Sequence, residues 1–168
     1  MTDPDPLVHV DPWVALHEGR SQLLRAIDGL AEAEAELAVE ARGRWHVGDL
    51  LTHLASWDEM TAAFLQAIAG GTREFPVEAR ADDDWSAWNA SRIAEARSAD
   101  LAARLARLHA AREALVGAAG SLAGELLDVV IAAPWDAEDT LRAYLVGQAM
   151  HDGAHAVAIA QARARGSR

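Results

Sequence analysis

The 168-residue chain contains no cysteine and no lysine. Without thiols there is no disulfide framework, no thiolate metal site and no cysteine nucleophile, so any metal must sit on His, Asp or Glu. All 15 basic residues are arginine, set against 26 acidic ones, for a formal net charge of −11. That balance argues against nucleic acid as a partner, because phosphate binding is driven by clustered basic side chains. No apolar run approaches the roughly eighteen residues that span a membrane. The opening stretch MTDPDPLVHVDP is acidic, with three prolines, and lacks the basic region and apolar core of a secretory signal. Together these absences point to a cytoplasmic protein with a small-molecule partner, no nucleic acid and no membrane.

Strand patterning is scarce too. β-branched residues come in short, scattered runs, and aromatics are few apart from six tryptophans, while Leu, Ala and Val recur at helical spacing. The fold class is all-α. This length accommodates one core but not two ordinary ones, which makes residues 11–168 a single helical bundle behind a flexible tail at 1–10. A polar, proline-containing stretch from Gly70 to Asp84 reads as a long loop.

Four long helical segments are expected. The first starts with Asp11 as N-cap and Pro12 in the first helical position, and Trp13, Leu16, Leu23, Ile27, Leu30 and Leu37 form its apolar stripe. A loop through Arg42, Gly43 and Arg44 leads to the second, whose stripe is Val47, Leu50, Leu54, Trp57, Thr61, Phe64 and Ile68, ended by Gly70 and Gly71. His53 lies on or beside that stripe. The third begins around DDDWSAWNASRIAEARS, bends near Ser98, which caps its later part, and continues through Leu101, Leu105, Leu108 and Leu115. After a turn-rich stretch with Gly120, Gly124 and Pro134, the last runs from Asp139 or Thr140 to about Arg165. Its line of Leu141, Tyr144, Gln148, His151, His155 and Ile159 steps by three or four residues.

Two imidazoles at i and i+4 project from one helical face and can share a metal ion. If the second and last helices are neighbours, His53 supplies a third nitrogen, and three histidines leave positions open for water or substrate, the coordination of a catalytic site. The bland alternative is a set of buried histidines satisfied by carbonyls. His9, His17, His46 and His109 fit a site less well, His46 standing as a reserve. Trp45, Trp57, Trp85 and Trp88 are pocket candidates, although large aromatics are by default core residues. Asp49, one turn before His53, is a candidate orienting acceptor, or simply a charge at a helix N-terminus.

The stretches WHVGDLLTHLASWDE, with His53, and MHDGAHAVAI, with His151 and His155, resemble the DinB/YfiT-like superfamily. That group of four-helix bundles carries a W-x-x-x-D-L-L-x-H-L-x-x-W-like second helix and an H-x-x-x-H pair in the last. DWSAWNASRIAEAR, with Trp88 and Asn89, resembles the start of its third helix, and the likeness runs from about Trp13 to Arg165. The resemblance implies a divalent metal (nickel, zinc or iron) on His53, His151 and His155, and, as in many relatives, a homodimer. It does not imply DNA repair. Several members look like transferases that use mycothiol or bacillithiol. Mycothiol-dependent maleylpyruvate isomerases carry a similar domain followed by another, and this chain ends soon after the last helix, which weighs against that activity. HLASWDEM also resembles bundle proteins of self-protection against DNA-damaging metabolites, such as colibactin.

The leading expectation is a metal-dependent S-transferase joining a low-molecular-weight thiol, mycothiol or similar, to an electrophilic small molecule. Trp57 and Tyr144 would wall the pocket, Asp49 or Gln148 support the ligands, and Arg142 meet an anionic group on the thiol. Two alternatives stay open. One is metal-assisted hydrolysis, with Asp152 or Asp58 as base, which could serve a self-resistance role. The other is a non-enzymatic binding bundle with structural histidines.

Overall fold

A computed structural model of the chain describes residues 10–39, 45–73, 85–132 and 138–167. The expected tail over 1–10 (except residue 10), the turn at Arg42–Arg44, most of the loop from Gly70 to Asp84, Pro134 and His9 lie outside the described residues. The elements are α1 (Pro12–Ile27), α2 (Val47–Ala69), α3 (Trp85–Glu95), α4 (Leu101–Gly120) and α5 (Leu141–Gly166), with short 3-10 turns at Glu32–Glu36 and Gly124–Asp128. An antiparallel hairpin pairs β1 (Val130–Ala132) with β2 (Glu138–Thr140), Ile131 facing Asp139. Strands of three residues are too short to show alternation, so the hairpin left no mark in the sequence pattern.

Local chemistry explains the helix boundaries. Asp11 accepts from the Trp13 and Val14 amides ahead of Pro12, and Thr140 caps α5 by accepting from the Ala143 amide. The expected first stripe is too long: α1 stops at Ile27, because Asp28 leaves helical geometry and Gly29 adopts φ 62°. Leu30 and Leu37 therefore pack from the connection, and Trp13 stands 36% exposed at the rim. The bend near Ser98 is a full break between α3 and α4. Asp100, not Ser98, is the cap, its carboxylate accepting from the Ala103 amide at 2.8 Å. Glu32 reaches across to the Leu101 amide of the same helix end.

α1 packs along α5 and α2 along α4. One apolar cluster gathers Leu16, Phe64, Leu65, Leu115, Tyr144 and Leu145; the other gathers Leu23, Leu51, Leu54, Leu108 and Ile159. The order in which each helix crosses the two clusters shows that α1 and α5 run one way and α2 and α4 the other. α1 and α5 approach so closely at Gly19 that a Cβ there would strike the Ala149 carbonyl. Gly19→Ala is therefore expected to lower the thermal midpoint: overpacking costs about 1–3 kcal/mol, against the ~1 kcal/mol that Ala gains over Gly in helix propensity.

Between the two clusters lies a polar layer. Arg112 donates from Nε to Asp58 at 3.0 Å and from Nη2 to Asp152 at 2.5 Å, and all three residues are buried. Desolvation pushes Asp58 up to about 7 despite the pull of Arg112, and raises Asp152 as well. Folded Asp58 thus holds its proton across a window, from about 3.8 to about 7, in which the unfolded chain has lost it. Its contribution to stability is full below that window and disappears as pH rises through it. Urea midpoints should fall across this range, and Asp58→Asn should flatten the slope.

Candidate metal centre

His53 projects from the second turn of α2 and His151 and His155 from one face of α5, where the two helices meet. His53 and His155 are buried and His151 is half-buried. His151 Nε2 stands 2.9 Å from His53 Nε2 and 3.0 Å from His155 Nε2. The three residues could hold a metal ion, with one ligand atom from each lying within 4.8 Å of the others. Imidazole nitrogens bound at about 2.0–2.1 Å to one tetrahedral ion stand roughly 3.3 Å apart, so this donor set fits one after small adjustments. Neutral imidazoles suit nickel, zinc and iron alike.

The orientation of His53 is fixed from α3. His53 Nδ1 lies 2.9 Å from Asn89 Oδ1, which also accepts from Trp57 Nε1 at 3.1 Å. An indole N–H can only donate, so the Asn89 atom facing both rings is the carbonyl oxygen, and His53 must carry its proton on Nδ1. That tautomer leaves the Nε2 lone pair aimed at the other two histidines. Asn89→Ala would strand two donors and is expected to weaken metal binding about 10–100-fold, measured by competition with a chromophoric chelator; Asn89→Asp, which keeps an acceptor, should restore most of it.

A cleft of about 340 Å³ opens beside the cluster, lined by His53, Trp57, Trp85, Asn89, Gly147, Gln148 and His151. Trp57 packs against Trp85 and Trp88 with ring centroids 4.8 and 5.5 Å away, and Trp45 sets its edge against His53. Among the described residues, no carboxylate lines this cleft.

Of the residues singled out in the sequence, the structure brings together His53, His151, His155, Trp57, Trp85 and Gln148, with Trp45 against His53 and Trp88 against Trp57. It places the others elsewhere. Asp49 accepts from the His46 backbone amide at the start of α2 and lies near Arg104. Asp152 points to Arg112, and Asp58 shares that partner. Tyr144 is wholly buried, its hydroxyl 2.8 Å from Thr61 Oγ1, and desolvation pushes its pKa well above the ordinary phenol range. Arg142 pairs with Asp128. His17, His46 and His109 are exposed. Asn89 is the contributor whose role the sequence did not disclose: its bond to His53 spans 36 positions, and only its place among tryptophans set it apart.

The family model described as the DinB superfamily matches residues 15–159, a span that takes in the three histidines and Asn89. No curated protein and no solved structure matches the chain.

Proposed function

The chain belongs to the DinB superfamily, and from that premise we propose that it is a metal-dependent transferase joining a low-molecular-weight thiol, such as mycothiol, to an electrophilic small molecule. His53, His151 and His155 would hold the divalent ion. When bound, such an ion supplies a Lewis acid that favours the deprotonated form of a thiol at neutral pH. The thiol comes from solution, since the chain has no cysteine of its own. Asn89 keeps His53 in its ligating tautomer. Trp57 and Trp85 offer the electrophile an apolar wall and keep water from it. Gln148, 5% exposed, brings an amide donor and acceptor to the same cleft. In the reaction a sulfur–carbon bond replaces a bond from carbon to its leaving group, and the thiol proton leaves with that group.

The observation that favours transfer over hydrolysis is that, among the described residues, the cleft lining holds no carboxylate base to activate water. Asp58 and Asp152 are engaged with Arg112 in the core. Metal-loaded protein incubated with mycothiol and an activated aryl halide should give the thioether, detected by mass spectrometry, and none should form without thiol. Metal-dependent loss of an ester, amide or strained ring in water, with no thiol requirement, would overturn the transferase reading.

A further inference from the structure

A second cavity, of about 440 Å³, lies between α1 and α4 and shares no lining residue with the histidine cleft. Its walls include Trp13, Leu16, Val116 and Leu122, and Arg20 and Arg112 also line it. Exposure falls from 59% at Val116 and 36% at Trp13 to 8% at Arg112 and 7% at Arg20. An apolar mouth thus leads to a buried cationic floor.

The two guanidinium groups are not equally satisfied. Arg112 is committed to Asp58 and Asp152. Arg20 donates from Nη2 to the Leu108 carbonyl at 2.7 Å, but its Nη1 is buried with no hydrogen-bond partner and lies 4.0 Å from Asp58, too far for a hydrogen bond. A buried charged donor left unmet is costly. Burial already disfavours the charged form of Arg20, and Arg112 adds repulsion.

We propose that this cavity binds an organic monocarboxylate with an apolar body, its carboxylate meeting Arg20 and its body lying between Trp13, Leu16 and Val116. A carboxylate matches the planar donor edge of a guanidinium. The volume falls within the range of small-molecule sites, about 300–1,000 Å³. Asp58 and Asp152, behind the arginines, disfavour a dianion such as a phosphate monoester. The site shares no lining residue with the histidine cleft, so it can stand or fall separately from the metal reading.

The test is calorimetric titration of the full chain with 4-phenylbutyrate and with its neutral amide. To keep the probe off a metal ion, the titration is repeated on the His151→Ala, His155→Ala variant. Val116→Glu, at an exposed position, places a repelling carboxylate at the mouth without disturbing the core. One molecule of phenylbutyrate should bind per chain, at least about tenfold more tightly than the amide, as expected for a charge-assisted bond. The histidine variant should bind equally well, and Val116→Glu should lose about tenfold. Equal binding of acid and amide, loss of binding with the histidines, or a dimer that Val116→Glu splits while no carboxylate binds would each overturn the proposal.

Discussion

Replacing His151 and His155 together by Ala is expected to remove the metal and lower metal-dependent thioether formation by about 10²–10³-fold or more, the scale on which loss of electrostatic stabilisation acts. The reason is geometric. His151 Nε2 lies within 3.0 Å of both partner nitrogens, and the double change leaves His53 as a solitary imidazole. A single histidine cannot hold a divalent ion as a three-nitrogen site does. The fold should survive, because the two apolar clusters and the Arg112 bridge that hold the helices together are left intact. If the histidines were structural, the outcome would reverse: stability would fall and any turnover would be unaffected. Thermal unfolding of the metal-free proteins beside the thioether assay separates the two outcomes.

Arg112→Ala should be the most destabilising of the single substitutions considered, costing about 3–5 kcal/mol in urea denaturation. One guanidinium bridges Asp58 of α2 and Asp152 of α5 from α4, and its removal strands two buried carboxyls 94 positions apart in sequence. Both already have raised pKa values from desolvation, so they can partly escape by taking up protons. The loss should therefore grow as pH rises above neutrality. Combining Arg112→Met with Asp58→Asn and Asp152→Asn, which removes the charges together, should recover much of the stability.

Much of the bundle was legible because its signals are local. The caps at Asp11 and Thr140, the glycine stop of α2 and the three-or-four spacing of its stripe each depend on residues a few positions apart. Where spacing misled, a short-range backbone event prevailed. Gly29 turned the chain after Ile27, and Asp100 outcompeted Ser98 by standing directly before Leu101. At the site, the i,i+4 pair on α5 was visible because both histidines share one helix face, and His53 because it interrupts a buried stripe. Asn89 and the Arg112 bridge were hidden, since their partners lie 32 to 54 positions away and depend on how the helices pack. Asp152 shows the limit plainly: it adjoins His151 in sequence, yet one residue of helical rotation turns it to the core and to Arg112.

The metal content of untagged protein, measured by elemental mass spectrometry, tests the histidine centre most directly. Wild-type protein should carry about one divalent ion per chain, and the His151→Ala, His155→Ala variant should carry almost none. A wild type that stays empty even after refilling with nickel, zinc or iron would contradict the metal centre and leave the three histidines as core residues only.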